Sequence, residues 1–146
     1  MTNIESEVTK STEAIRLLLV DIHAVSRTSS RQLLDTFPEL NVVGETSDFK
    51  EAMALLDDLK PDIVLISMRV QGATGPEVAR AILKVRPSTK VVVLTLFDDP
   101  EYVRSAMEAG AHAYVLKQEP AARILEAIDR VLRGEIYLSP GLGQQI

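Results

Sequence analysis

Short, strongly apolar runs alternate along the chain with longer stretches in which apolar positions are spaced as on a helix. Five runs rich in Val, Ile and Leu occupy residues 15–20, 40–43, 63–66, 91–94 and 113–116. Runs this short and this continuously apolar are typical of strands that are buried on both faces. The pattern therefore predicts five buried strands.

Each run is followed by apolar side chains that recur at three- and four-residue steps, which places them on one face of a helix. These sets are Leu33, Leu34 and Phe37; Phe49, Ala52, Met53, Leu55, Leu56 and Leu59; Val78, Ala81, Ile82 and Val85; Tyr102, Val103, Ala106 and Met107; and Ile124, Leu125, Ile128, Val131 and Leu132. Because strand–helix–strand crossovers are right-handed, this order predicts an α/β fold: a flavodoxin-like, doubly wound (βα)5 domain with a five-stranded parallel sheet.

Residues at the predicted boundaries agree with this order. Asp48, and either Asp98 or Asp99, are suited to cap helix starts, and Pro100 suits a first helical turn. Gly110 stands where a helix should end. The 146 residues suit one domain, since domains commonly have about 100–150 residues. We expect a polar tail over residues 1–13, the domain over 14–136, and the start of a linker over 137–146.

Composition narrows the classes of protein. The chain has no cysteine, so neither a disulfide framework nor a cysteine metal site is possible. The net charge of −5 does not suit a domain that binds polyanions by itself. The polar N-terminus does not resemble a signal peptide, and no stretch approaches the roughly 18 apolar residues of a membrane span. We expect a cytoplasmic domain without a membrane partner.

Candidate chemistry lies where the predicted strands end. In open α/β sheets, ligands bind outside the carboxyl ends of the strands. Here those ends carry Asp21 and Ile22 after the first run, Ser67 after the third, Thr95 after the fourth and Lys117 after the fifth. We expect these side chains to meet.

Three motifs at matching intervals resemble a known family. They are T-x-F-D-D-x-x-Y from residue 95, A-G-A-x-x-Y-x-x-K from residue 109 and G-E-x-x-L-S-P from residue 134. Together with the segments around residues 15–23 and 61–82, they resemble the receiver (CheY-like) domain of two-component response regulators. The resemblance covers about residues 15–140. It is closest to LuxR/NarL-type regulators, in which the receiver precedes a helix-turn-helix.

The resemblance implies a set of site residues. In the family, an acidic pair and the aspartate that ends the third strand hold Mg²⁺, and that aspartate accepts a phosphoryl group. A Ser or Thr and a Lys then contact the phosphoryl oxygens. Asp21, Thr95 and Lys117 match this pattern. Ile22 replaces the second acid, and Ser67 stands at the phosphoacceptor position.

These two departures change the expected chemistry. With one carboxylate, Asp21, in place of three, we expect Mg²⁺ binding to be weak or absent and no other cofactor to bind. A serine hydroxyl such as that of Ser67 is a poor nucleophile without a base, and neither His23 nor His112 is clearly placed to serve as one. We expect Asp21 and Lys117 to form a salt bridge in the space of the metal.

Two further positions have alternative interpretations. Thr95 is either a β-branched residue that ends a strand or a remnant of the switch hydroxyl. Tyr114 matches the aromatic residue that rotates with that hydroxyl in the family. Without phosphorylation it is either fixed or a partly buried aromatic in an interface.

The leading hypothesis is an atypical, phosphorylation-independent receiver domain, not an enzyme, in signal transduction and transcription regulation. It would act through protein contacts such as homodimerisation, with a sensor kinase or other regulator as a possible partner. DNA would be bound only through a C-terminal domain absent from this chain. One alternative is a conventional phosphorelay receiver phosphorylated at Ser67 or another residue. A second is a small flavodoxin-like nucleotide-binding or enzymatic domain, which lacks the expected Gly-rich loop after the first strand.

Overall fold

The chain alternates strands and helices throughout the part that the computed structural model describes, residues 14–143. The strands are β1 Ile15–Val20, β2 Leu40–Thr46, β3 Ile63–Ile66, β4 Arg69–Val70, β5 Ala73–Thr74, β6 Lys90–Thr95, β7 Ala113–Leu116 and β8 Tyr137–Leu138. The helices are α1 Ala24–Leu34, α2 Phe49–Leu59, α3 Gly75–Val85, α4 Pro100–Glu108, α5 Ala122–Leu132 and the short α6 Pro140–Gly143.

Six strands form one parallel sheet in the order β2-β1-β3-β6-β7-β8, and β4 and β5 form a separate small hairpin. Successive side chains of a strand point to opposite faces, so the sheet separates two buried clusters. Leu18 of β1 packs with α2, α3 and α4, whereas its neighbour Leu17 packs with α1 and α5. Helices on both faces explain why the strands are continuously apolar.

The predicted boundaries agree closely with the observed ones. β1, β3 and β7 have the predicted limits, whereas β2 extends three residues beyond residue 43 to Thr46. Its polar end pairs with β1 beyond a register shift between Leu17 and Leu18, and an apolar pattern cannot predict this extension. Asp48 caps α2 by accepting a hydrogen bond from the Glu51 amide, and Pro100 opens α4. Gly110 adopts a φ of 105° just after α4 ends.

The predicted linker and the number of strands need correction. Tyr137–Leu138 adds a sixth strand, parallel to β7, where a linker was expected. Beyond it, Ser139 and Leu142 are almost fully buried. The Ser139 amide donates to the Tyr114 carbonyl oxygen at 3.0 Å, and the Ser139 hydroxyl accepts from the Leu116 amide at 2.9 Å. The packed unit therefore extends beyond residue 136. The predicted tail over residues 1–13 lies outside the described residues.

Replacing Ser139 tests whether this C-terminal segment is part of the folded unit. Ser139→Ala removes the acceptor of the buried Leu116 amide, which should lower the free energy of unfolding by about 1–3 kcal/mol. Urea unfolding measures the change. The exposed Ser88 provides the control, because Ser88→Ala should change stability by less than about 0.5 kcal/mol. Equal stabilities of the two variants would contradict the packing of this segment.

Candidate functional site

Side chains from four strand ends surround one cavity at the carboxyl edge of the sheet. The cavity has a volume of about 210 Å³, and its lining includes Asp21, Ser67, Thr95 and Lys117. These are four of the residues that the sequence predicts to meet. The parallel sheet brings them together because β1, β3, β6 and β7 all end on the same edge. Ile22 is not part of this lining, and its side chain is partly exposed instead.

Asp21 and Lys117, which both line the cavity, form an ion pair. The Lys117 ammonium nitrogen lies 3.3 Å from Asp21 Oδ2, within the distance of direct ionic contact, so the predicted salt bridge is confirmed. Asp21 is almost completely buried, and its Oδ1 accepts a hydrogen bond from the His23 amide at 3.0 Å. Lys117 also donates to the Ser26 hydroxyl.

The surroundings of Asp21 favour its charged form. Burial alone would raise the pKa of this carboxyl group. The His23 amide, the Ser26 hydroxyl and the Lys117 ammonium group outweigh burial, so the pKa of Asp21 is lowered from its ordinary value. Asp21 is therefore an ionised ion-pair partner and a poor base.

The Ser67 hydroxyl forms a hydrogen bond with a backbone carbonyl oxygen. Its Oγ lies 2.7 Å from the Arg69 carbonyl oxygen and 3.3 Å from Asp21 Oδ1. The nearer of the two acceptors is therefore a carbonyl oxygen and not a carboxylate that could act as a base. The lack of a side chain at Gly75 lets the start of α3 pack closely against this turn, because a Cβ atom there would lie 2.5 Å from the Ser67 carbonyl oxygen.

Thr95 and Tyr114 hold the loop after β6 from two sides. Thr95 Oγ1 accepts a hydrogen bond from the Phe97 amide at 3.1 Å, and the Tyr114 hydroxyl donates to the Phe97 carbonyl oxygen at 2.7 Å. Burial, with Asp99 and Asp98 nearby, raises the pKa of Tyr114, which keeps its hydroxyl protonated. Tyr114 is fully buried, so the interpretation as a partly buried interface residue is wrong.

Several residues of the site were not predicted from the sequence. Ser26 supplies a hydroxyl group from the first turn of α1, and Met68, Arg69 and Phe97 supply much of the remaining wall. Ser26, Met68 and Phe97 lie within two residues of a strand end or in the helix turn that follows one, which is a positional signal. Arg69 lies three residues beyond β3, in the short strand β4. His112 has a structural role, since its Nδ1 accepts a hydrogen bond from the Val91 amide at 3.0 Å.

Comparison with known proteins identifies the family. The sequence model described as "Response regulator receiver domain" matches residues 17–129. The chain belongs to the response regulator receiver family. This confirms the family resemblance found in the sequence motifs.

Individual relatives agree with this assignment of the receiver domain. The chain is 34% identical to response regulator GacA of Pseudomonas aeruginosa over 90% of its own length and 62% of GacA. It is 37% identical to LiaR of Bacillus subtilis over 83% of its length and 57% of LiaR. The receiver chain thus spans about three fifths of the curated relatives that it matches.

Solved structures show the same fold. A LuxR-family response regulator from Aurantimonas superposes with a TM-score of 0.84 at 32% identity, covering 90% of this chain and 94% of that one. The receiver domain of NarL from Mycobacterium tuberculosis superposes with a TM-score of 0.77 at 29% identity, covering 84% of this chain and 99% of that one. Within residues 14–143, no helix of this receiver is long and apolar enough to cross a membrane.

A double-mutant cycle on Asp21 and Lys117 tests the ion pair of this receiver. Lys117→Met leaves a buried carboxylate without its ammonium partner, and Asp21→Asn removes the charge that Lys117 faces. Both single variants should unfold more easily than wild type. Because the two side chains interact directly, their effects should couple by ~0.5–3 kcal/mol in urea unfolding.

The exposed pair of Asp129 and Arg133, 3.1 Å apart, provides the matched control, and its coupling should not exceed about 1 kcal/mol. Since the folded state lowers the pKa of Asp21, its contribution should be complete above about pH 4 and should decline as the pH falls through the folded-state pKa. Coupling no larger than that of the control would contradict a stabilising ion pair.

Proposed function

We propose that this chain is an atypical receiver domain that signals without aspartyl phosphate. It acts in the cytoplasm as a non-enzymatic regulatory module, through contacts with proteins. The observation that carries the proposal is that Asp21, Lys117 and Ser67 already have interaction partners within the protein. The two charges satisfy each other, and the hydroxyl at the end of β3 bonds to a carbonyl oxygen.

The side chains present do not fit the Mg²⁺ of the family. The cation prefers octahedral oxygen ligands, commonly one or two carboxylates with waters. Among residues 14–143, Asp21 is the only carboxylate that lines the cavity, and both its oxygens already accept hydrogen bonds. No cluster of three or more His, Asp or Glu side chains suited to a metal occurs in the described part of the chain. An alkyl group, Ile22, follows Asp21 where the family has its second acid.

Phosphorylation of Ser67 is the rival function, and the local geometry supports it poorly. Attack on a phosphoryl donor would require removal of the hydroxyl proton. The nearest carboxylate, Asp21, is held ionised at a lowered pKa and lies 3.3 Å away, whereas the Arg69 carbonyl oxygen lies at 2.7 Å. Carbonyl groups do not act as bases at neutral pH, so the hydroxyl is not activated.

The partners follow from the family. We propose that the receiver forms a homodimer and that a sensor kinase or another regulatory protein contacts it. We further propose that DNA is bound through a helix-turn-helix domain outside this chain. The greater length of GacA and LiaR supports the presence of a further domain in the whole protein.

Treatment with a small phosphodonor tests the proposed function directly. Wild-type protein incubated with acetyl phosphate and Mg²⁺ should keep its mass, because no side chain in the cavity is an activated acceptor. Intact mass spectrometry measures the result, and Ser67→Ala should behave identically. A gain of one phosphoryl mass in wild type would replace this proposal with the rival function; loss of the gain in Ser67→Ala would identify Ser67 as the acceptor, and its retention would indicate another residue.

Restoring two carboxylates tests why the site is inert. The double variant Ile22→Asp with Ser67→Asp returns the acidic residues of the family pattern beside Asp21, Thr95 and Lys117. With a metal and an ammonium group to neutralise the transferred charge, it should gain one phosphoryl mass from acetyl phosphate. Ser67→Asp alone should gain less, since the second acid is still missing. An unreactive double variant that remains folded by circular dichroism would show that the two replacements do not account for the inactivity.

A further inference from the structure

A second cavity lies next to the cavity that contains the ion pair. The first, of about 210 Å³, and the second, of about 280 Å³, share Met68, Arg69 and Phe97. Tyr102 belongs to the wall of the second cavity. Arg69, whose guanidinium group lies 6.0 Å from the centre of the Phe97 ring, thus lines both cavities.

The charges around the first cavity favour an anion. Among residues 14–143, its lining contains two cations, Arg69 and Lys117, and one acid, Asp21; because Asp21 pairs with Lys117, the charge of Arg69 remains uncompensated. Arg69 forms no ion pair with any residue between 14 and 143.

The uncharged part of the wall favours an aromatic ring. Phe97 and Tyr102 are 39% and 41% exposed, and their ring centroids lie 5.5 Å apart in an edge-to-face arrangement. Met68 and Leu96 add apolar and polarisable surface. Ligand pockets commonly combine apolar and aromatic walls with a few polar or charged groups that orient the ligand, and this wall offers Phe97 beside Arg69.

We propose that this cavity binds a small aromatic acid, with the ring against Phe97, Leu96 and Met68 and the acid group at Arg69. A volume of about 210 Å³ lies below the ~300 Å³ of typical drug-sized sites, so the space suits a molecule with a single ring. The inference rests on the proposed function, because it assigns a ligand to a cavity that takes no phosphoryl group.

A ligand bound there would affect the conformation of the domain surface through the backbone of Phe97. Thr95 and Tyr114 hold that backbone from two sides, and Pro100 opens α4 three residues later. Tyr114 also accepts a hydrogen bond from the Ser139 amide through its carbonyl oxygen. A ligand that packs against Phe97 would therefore stabilise one arrangement of the loop, α4 and the C-terminal segment, which makes it a regulator rather than a substrate.

Titration with four matched probes, followed by amide NMR, tests the ligand class. Benzoate carries both the ring and the acid, acetate the acid alone, benzamide the ring alone, and benzylamine the ring with a cation. Benzoate should shift the amide signals of Arg69, Leu96 and Phe97 in a saturable manner, at least tenfold more tightly than the other three. Arg69→Gln and Phe97→Leu should each weaken benzoate binding at least tenfold. Arg80→Gln, an exposed arginine on α3, should not.

The absence of a saturable shift with benzoate up to about 10 mM, which corresponds to binding weaker than ~3 kcal/mol, would overturn the inference. Equal binding of benzylamine or acetate would also overturn it. So would an unchanged benzoate affinity in an Arg69→Gln variant that is folded by circular dichroism. None of these touches the proposed function, which depends on the mass after treatment with the phosphodonor. Conversely, phosphorylation of Ser67 would overturn the proposed function even if benzoate binds.

Discussion

The contact between Asp21 and Lys117 is the interaction on which the chemistry of this receiver depends. A buried carboxylate is costly unless an opposite charge or several hydrogen bonds compensate it. Here an ammonium group lies 3.3 Å away, and the His23 amide supplies a further donor. Asp21 and Lys117 therefore satisfy each other's charge inside the cavity. This pairing supports the proposal that the receiver works without a metal-assisted phosphoryl transfer.

The neutral side chains around the pair have a related effect. Ser67 bonds to the backbone of its own turn, and Ile22 turns outward, partly into solvent. Neither contributes negative charge, so the cationic groups around the cavity outnumber the acidic ones. A site that binds a cation through carboxylates in the family is in this chain an apolar space with a basic rim. That change of chemical character favours the proposed aromatic acid over a cation.

The C-terminal segment links this site to the edge of the sheet. Ser139 bonds to the backbone of both Tyr114 and Leu116, on either side of Val115 and next to Lys117. The Tyr114 hydroxyl, in turn, donates a hydrogen bond to the Phe97 carbonyl oxygen in the loop after β6. The loop after β6 and the chain beyond β8 are therefore both hydrogen-bonded to residues of β7.

The sequence by itself determined the five long strands, the five long helices and the meeting of Asp21, Ser67, Thr95 and Lys117. Strands that are buried on both faces must be continuously apolar, so their positions can be predicted from the local sequence pattern. The carboxyl ends of parallel strands lie at the same edge, so the residues that follow these strands can be predicted to meet. The opposite charges of Asp21 and Lys117 were sufficient to predict their pairing once that edge was assumed.

Only the tertiary structure decided the sixth strand, the fixed direction of the Ser67 hydroxyl and the position of Arg69 over Phe97. A two-residue strand has no period to detect, and its partner β7 lies more than 20 residues earlier in the chain. A hydroxyl group has several acceptors within reach, and a long arginine side chain has many rotamers. Which of these is occupied depends on neighbours brought together from distant parts of the sequence.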